Sequence, residues 1–177
     1  MKKSLFLFGV SLMLGISTYA QDCPGMKSKK DAFTNKTEKT GRVVLSGSGL
    51  KWSVDLSQSE GKSSMKWGIA MNGEANQKIE KGTPLLLKLE DGSVVTIPTS
   101  ETSSPVTQAA SGGAGTVYVY SVYYLNFDLP KETLQKLAKS PITDLKIDVP
   151  GQELKSPKVK GKQTGKLQEM FTCLYNS

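Results

Sequence analysis

The chain has 177 residues, carries a net charge of +7 from 23 basic and 16 acidic residues, and contains no histidine. The lack of histidine excludes Ser-His-Asp and Cys-His catalytic centres, metal sites that need imidazole, and pH switching by histidine. Arg42 is the only arginine. Because proteins that read nucleic acid depend on arginine for bidentate contacts, we expect no nucleic-acid partner.

Residues 1–20 have the pattern of a secretory signal peptide. Lys2 and Lys3 precede an apolar run over residues 5–16, and the small residues Thr18 and Ala20 follow it. The run is too short to span a membrane, and no later segment is apolar enough, so we expect no transmembrane segment. Cleavage leaves about 157 residues, which fits one domain or two very small ones. We expect the mature protein in the periplasm or outside the cell.

Two cysteines, Cys23 and Cys173, stand near the ends of the mature chain. An even number of cysteines in an exported protein favours a disulfide, and the alternative is two free thiols that lie too far apart to join. A lipid anchor on Cys23 would need a small residue before it, and Asp22 stands there. We therefore expect a soluble protein and not a lipoprotein.

Residues 21–40 are polar and predict an irregular N-terminal arm, followed by a single domain over residues 41–177. Alternating apolar and polar residues then predict half-buried strands. These strands cover residues 50–56, 65–71, 85–89, 94–97, 117–127 and 145–149. Trp52 and Trp67 fall at inward positions and are expected in the core.

The sequence around Asp91 and Gly92 predicts a tight hairpin. A two-residue turn would pair Leu89 with Val94. A three-residue turn with Gly92 at positive φ would pair Leu87 with Val95 and would place the larger apolar residues on one face, so we favour it. Residues 98–115 form the longest break and predict a mobile or functional loop.

The segment 117–127 has two apolar faces, and one of them carries Tyr118, Tyr120 and Tyr124. These tyrosines could form an open platform for sugar rings, and they are our candidate ligand-binding residues. The alternative is a second core layer. Because a chain with a thin core needs its aromatic residues inside, the core layer is the interpretation that the sequence favours.

Pro130 predicts the start of a short helix near residues 130–139, and apolar residues at helical spacing predict a terminal helical turn that ends near Cys173. Many short strands and little helix predict a mainly β protein, an antiparallel β-sandwich that is immunoglobulin-like or similar. A small open barrel is the alternative fold.

Catalysis by carboxylates alone needs two acidic groups about 5–10 Å apart around a cleft. The candidate residues are Asp55, Glu90, Asp91, Asp128, Asp144 and Asp148. Nothing in the sequence places a pair of them together, so a hydrolase is the least favoured function. We expect no enzyme activity, no cofactor and no metal.

The strand–turn–strand at residues 87–95, the strand–helix–strand from residue 124 to residue 147, and the closing Phe171-Thr172-Cys173-Leu174 form a recognisable order of elements. Over residues 85–174 the chain resembles the small exported proteins of unknown function that are common in Bacteroidetes. The resemblance implies a β-rich envelope protein with a helix near the end, and it carries over no catalytic residues.

The sequence thus favours a non-catalytic binding or interaction module whose partner is an envelope protein or a glycan. The alternatives are a carbohydrate-binding module that uses the tyrosine face, a carboxylate-only hydrolase, and a structural subunit or protease inhibitor that uses the loop over residues 98–115. Lysine clusters near both ends of the chain either attract an anionic lipid or glycan or are solvated tails, and the sequence favours solvated tails.

Overall fold

A computed structural model describes residues 23–46, 51–149 and 161–177. These residues form nine strands, two α-helices and one short 3-10 turn at Gly113–Gly115. The strands are β1 (Met26–Lys30), β2 (Thr37–Ser46), β3 (Lys51–Ser59), β4 (Lys62–Asn72), β5 (Pro84–Leu89), β6 (Val94–Pro98), β7 (Val106–Ser111), β8 (Val117–Leu129) and β9 (Ile142–Ile147). The helices are α1 (Lys131–Lys139) and α2 (Lys162–Tyr175).

The strands form two antiparallel sheets. The first is a curled six-stranded sheet in the order β1-β2-β3-β4-β8-β7, and the second has three strands in the order β6-β5-β9. The first four strands are consecutive in both chain and sheet, which leaves β1 and β7 as the two edges of the larger sheet. The expected mainly β, antiparallel architecture is therefore confirmed.

The β5–β6 hairpin has the three-residue turn that the sequence favours. Leu87 pairs with Val95 and Leu85 pairs with Ile97, and all four side chains are buried. Gly92 has a φ of +84°, a conformation that glycine adopts without steric cost. The predicted register is confirmed.

The same turn is held by its acidic residue. The Ser93 hydroxyl donates a hydrogen bond to the Asp91 carboxylate at 2.6 Å, and the Ser93 backbone N–H donates to the same oxygen at 2.9 Å. These two bonds hold the pKa of Asp91 below its usual value, and the bond from the hydroxyl has the larger effect. Asp91 is therefore part of the turn.

The inner face of the six-stranded sheet carries the core. Trp52 on β3 and Trp67 on β4 are each 1% exposed, and their rings meet edge to face with centroids 6.0 Å apart. Such aromatic pairs are a favoured packing geometry. Tyr123 and Phe127 of β8 are fully buried beside them, in one apolar cluster that also includes residues of the three-stranded sheet and both helices. The expected core position of both tryptophans is confirmed.

Both predicted helices are present. Pro130 precedes α1, whose buried residues are Leu134 and Leu137. Helix α2 is a full 14-residue helix, longer than the expected turn, and packs against β2 at Gly41. A Cβ atom at Gly41 would lie 2.8 Å from the Gly25 backbone oxygen and 2.5 Å from Met170 Cε and Met26 Sδ, so a side chain here would push the backbone before β1 and the two methionines away.

A disulfide joins Cys23, just before β1, to Cys173 on α2, with their Cα atoms 5.6 Å apart. The expected bridge is confirmed. It ties the first described residue of the chain to the terminal helix across 150 positions of sequence. A closed loop of this length restricts the unfolded chain strongly on the chain-entropy account.

Two segments that the sequence predicts as irregular are strands. The segment over residues 21–40 contains β1 and the first part of β2, and the break over residues 98–115 contains β7. All six residues of β7 and four of the five in β1 are exposed. Neither strand has alternating burial, because each lies at an edge of the sheet and is defined by backbone pairing with one neighbour. The proposed signal peptide, residues 1–20, lies outside the described residues.

Candidate functional site

The predicted tyrosines share the side of the six-stranded sheet that points away from the core, which we call the outer face. Tyr118, Tyr120 and Tyr124 project from it along β8, while Tyr123 projects to the core. Tyr118 is 61% exposed and Tyr124 is 42% exposed. The prediction that these tyrosines form a second core layer is therefore wrong. It fails because the core has enough aromatic area from residues on the inner face.

Two of the three tyrosine rings rest on glycine. Gly68 of β4 is the direct cross-strand partner of Tyr124, and a Cβ there would lie 3.6 Å from the Tyr124 ring. A Cβ at Gly112 would collide with the Tyr118 ring. At the cross-strand pair Gly68–Tyr124 the ring covers the position that lacks a side chain, an arrangement that holds an aromatic ring against a sheet. Gly112 follows the end of β7, two residues beyond Ala110, the cross-strand partner of Tyr118. Both rings remain exposed, so part of each is open to solvent.

The middle tyrosine is held by a side-chain hydrogen bond. The Tyr120 hydroxyl donates to Gln108 Oε1 at 2.7 Å, and Gln108 is directly opposite Tyr120 on β7. Val122, 8% exposed, fills the position between Tyr120 and Tyr124 on the same face. The result is a strip of aromatic and apolar groups along the outer face of β8, which we call the tyrosine strip.

A cation adjoins the tyrosine strip. Lys66 Nζ lies 4.8 Å from the centroid of the Tyr124 ring, within the range of a cation–π contact. At an exposed position such a contact stabilises the pair by about 0.5–1 kcal/mol, which orients the lysine without neutralising it. Among the described residues Lys66 makes no salt bridge.

Lys66 also lines an open groove of about 700 Å³, which is formed by residues of β1, β2, β3, β4 and α2. We call this depression the basic groove, because among the residues that the structure describes four cationic side chains line it and Asp55 is the one acidic lining residue. The cations are Lys27, Arg42, Lys66 and Lys166. A concave surface lined by one sign of charge raises the local concentration of the opposite sign.

Arg42 and Asp55 form an ion pair within the groove. Arg42 Nε lies 3.5 Å from Asp55 Oδ1, with side chains 65% and 40% exposed. Ion pairs at this level of exposure contribute little, about 0–1 kcal/mol, so an incoming anion can compete for the guanidinium. Three further cations in the groove have no acidic partner among the described residues.

Tyr123 shows the opposite environment on the same strand. Its side chain is 0% exposed, and its hydroxyl donates to the Gln77 backbone carbonyl at 2.7 Å. Burial raises the pKa of Tyr123 above the ordinary value of a tyrosine. Tyr123 is therefore a core residue with a satisfied hydroxyl.

The six candidate carboxylates do not converge on the tyrosine strip or the groove. Only Asp55 lines the groove, and Asp128 lies further along the outer face of β8. Asp144 and Asp148 belong to or follow β9, and Glu90 and Asp91 lie in the β5–β6 turn. Within residues 23–46, 51–149 and 161–177, no three acidic or cysteine side chains gather as metal ligands would.

The basic groove is the part of the site that sequence reasoning missed. Lys66 alternates with buried Met65 and Trp67, so the period of β4 places it on the wet face. Its position next to Tyr124 depends on the pairing of β4 with β8, which the sequence does not specify. Lys166 reaches the groove only because α2 packs at Gly41. Of the C-terminal lysine cluster, residues 155, 158 and 160 lie outside the described part of the chain.

The chain matches no protein-family model, no curated protein and no solved structure. In the part of the chain that the structure describes, neither helix is long and apolar enough to cross a membrane.

Proposed function

We propose that this chain is an exported, non-catalytic binding module, and that the tyrosine strip and the basic groove bind an acidic glycan. The observation that carries the proposal is the junction of the two surfaces at Lys66, which lines the groove and lies over the Tyr124 ring. One ligand that crosses this junction would contact both an aromatic surface and a set of cations.

The tyrosine strip supports a sugar ligand. An aromatic ring offers a flat apolar face to the C–H groups of a sugar, while the tyrosine hydroxyl can bond to sugar hydroxyls. From Tyr118 to Tyr124 the strand rises about 20 Å. A linear ligand can therefore contact rings at both ends of the strip, and the glycines below Tyr118 and Tyr124 restrict ring motion before binding.

The groove supports a ligand that carries negative charge. Among the described residues, four cations and one acid line the groove, which leaves an excess of positive charge, and Lys66 carries one of these charges to the Tyr124 ring. Carboxylate or sulfate groups on a glycan would form charge-assisted hydrogen bonds with Lys66 and Arg42. A neutral glycan would lack this charge–charge attraction and would gain only ordinary hydrogen bonds from these side chains.

The scaffold supports export and a rigid site. The Cys23–Cys173 disulfide is typical of proteins that fold in an oxidising compartment, such as the periplasm or the outside of the cell. The single apolar cluster shared by both sheets and both helices supports the sandwich arrangement expected from the sequence. Backbone pairing on both sides of β8 would hold the tyrosine strip in place.

The test is calorimetric titration of the purified protein with an oligogalacturonate and with its fully methyl-esterified form. The ester has the same sugar rings without the charges. We expect saturable binding of the acid, weaker binding of the ester, and loss of both in a folded Tyr120→Ala, Tyr124→Ala variant. Failure of both ligands to bind, or equal binding by the double variant, would contradict the proposal.

Two lysines provide a matched pair of variants. Lys66 lies over Tyr124 in the site, and Lys131 lies over Tyr175 on the helices, 5.7 Å from its ring centroid. Lys66→Gln should weaken binding of the acidic oligosaccharide by about fivefold or more and leave the ester unaffected. Lys131→Gln should change neither. Equal effects of the two substitutions would show that overall charge, and not the site, attracts the ligand.

A further inference from the structure

The two edges of the six-stranded sheet have opposite chemistry. At one edge β1 carries Lys27, Lys29 and Lys30, all exposed. Lysine on an edge strand opposes pairing with another strand, because it brings charge and bulk to the open backbone. At the other edge β7 has the sequence Val-Thr-Gln-Ala-Ala-Ser, without charge or proline, and every residue is exposed. Natural edge strands seldom lack all such protection.

The hydrogen-bond pattern shows which backbone groups of β7 are open. Gly112 N–H donates to the Thr116 carbonyl at 2.6 Å where the β7–β8 hairpin closes. Hydrogen-bonded and non-hydrogen-bonded residue pairs alternate along an antiparallel ladder. The backbone groups of Ala110, Gln108 and Val106 therefore bond to β8, and the backbone groups of the residues between them point away from β8. Those residues are Thr107, Ala109 and Ser111. Among the described strands only β8 pairs with β7.

Exposed apolar side chains concentrate beside this edge. Val106 is 47% exposed, and at the start of β8 Val117 is 62%, Tyr118 61% and Val119 38% exposed. Val117 and Val119 lie on the inner side of the sheet, where β8 extends beyond the core. Apolar groups gathered at one edge of a small domain mark an interaction surface.

We propose that the edge of β7 pairs with the β7 of a second copy of this chain, in an antiparallel two-fold arrangement that joins the two sheets. A two-fold axis at Ala109 would place each Ala109 opposite its counterpart and Thr107 opposite Ser111 of the partner copy. This register forms about six backbone hydrogen bonds. The same segment serves on both sides, as a two-fold interface requires.

A second copy suits this edge better than a partner with a different surface, because the facing side chains are small and uncharged. Pairing β7 with itself brings no like charges together, whereas pairing β1 with itself about Ser28 would place Lys27 of each copy opposite Lys29 of the other. The axis stands perpendicular to the sheet, so the two tyrosine strips lie on the same face. The two β8 strands that carry them lie about 15 Å apart, with the two β7 strands between them. The dimer does not depend on the proposed glycan.

The test compares proline substitutions at the two edges by sedimentation equilibrium, with protein purified after expression of the full 177-residue chain. Ala109→Pro removes an N–H that points away from β8, so β7 still pairs with β8. Ser28→Pro is the matched control on β1. Asp31 N–H donates to the Lys36 carbonyl, and by the same alternation Ser28 N–H points to the open edge. We expect a concentration-dependent dimer that Ala109→Pro weakens at least about tenfold and Ser28→Pro leaves unchanged.

A charge exchange gives a second measurement that does not alter the backbone. The Thr107→Lys, Ser111→Lys variant would place lysines opposite lysines in the dimer and should be monomeric, as should the Thr107→Glu, Ser111→Glu variant. An equimolar mixture of the two should form a heterodimer. A wild-type protein that stays monomeric at millimolar concentration, equal dimer affinity for both proline variants, or no heterodimer from the mixture would overturn the proposal.

Discussion

Tyr123 and Tyr124 are neighbours in the chain and have opposite surroundings. Tyr123 is 0% exposed and donates its hydroxyl to the Gln77 carbonyl in the core. Tyr124 is 42% exposed, lies over Gly68 and has Lys66 Nζ 4.8 Å from its ring centroid. Strand geometry alone separates them, because successive side chains of a strand point to opposite faces. The inner face of β8 therefore contributes stability, and we propose that the outer face contributes binding.

The largest expected effect is on the inner face. Trp67→Ala removes a side chain that is 1% exposed and its edge-to-face contact with Trp52. We expect the free energy of unfolding to fall by about 3–5 kcal/mol, because the cavity forfeits buried area and packing contacts. Urea denaturation followed by far-ultraviolet circular dichroism measures this. A loss below about 1 kcal/mol would contradict the assignment of Trp67 to the core.

The disulfide is expected to act on stability without acting on the outer face. Replacing both cysteines, Cys23→Ser with Cys173→Ser, should lower the free energy of unfolding by about 2–5 kcal/mol. The folded fraction should bind the oligogalacturonate with unchanged affinity, because neither cysteine lines the groove. Denaturation with and without ligand separates the two quantities. A folded variant that no longer binds would show that the bridge shapes the site.

Removing one hydroxyl from the core sharpens the comparison between the two tyrosines. Tyr123→Phe leaves the Gln77 carbonyl without its donor and should cost about 1–2 kcal/mol at neutral pH. Burial raises the pKa of Tyr123 in the folded state, whereas the unfolded chain ionises near the usual value of about 10. The contribution of the buried neutral hydroxyl is therefore fully present below about pH 10 and is lost as the pH rises through the folded pKa.

The measurement is the free energy of unfolding against pH, from pH 7 to pH 11, for wild type and Tyr123→Phe. The wild type should lose more stability above pH 10 than the variant does. Parallel curves would mean that Tyr123 ionises equally in both states, which its burial argues against.

The smallest expected effect on stability comes from the outer tyrosine. Tyr124→Ala should change the free energy of unfolding by less than about 1 kcal/mol, because the residue is 42% exposed and the contact of its ring with Lys66 is a surface contact. The same substitution should weaken oligogalacturonate binding about tenfold. Paired denaturation and calorimetry on one preparation check both. A large loss of stability with unchanged affinity would reverse the roles of the two faces.

The sequence predicts those parts of the fold in which apolar residues alternate strictly. The register of β5 with β6 follows from placing Leu85, Leu87, Val95 and Ile97 on one face, and the tryptophan positions follow from the period of β3 and β4. The edge strands β1 and β7 escape prediction, because their residues are almost all exposed and no burial pattern marks them. Only pairing with a neighbour reveals them.

The candidate site was predictable in part. The sequence places Tyr118, Tyr120 and Tyr124 on one face of one strand, but it does not show whether that face is covered. The preference for a second core layer fails because Tyr123, Phe127 and the two tryptophans already fill the inner face. The basic groove depends on cross-strand pairing and on the position of α2, both of which arise from contacts distant in sequence.

The most direct measurement follows the tyrosine ring resonances by NMR while oligogalacturonate is added to the wild-type protein. We predict saturable shifts of the rings of Tyr118, Tyr120 and Tyr124 and an unmoved ring of Tyr123, since only the first three lie on the outer face. Saturable binding that leaves all four rings unmoved would place the ligand elsewhere and contradict the account. So would the absence of any shift at millimolar ligand.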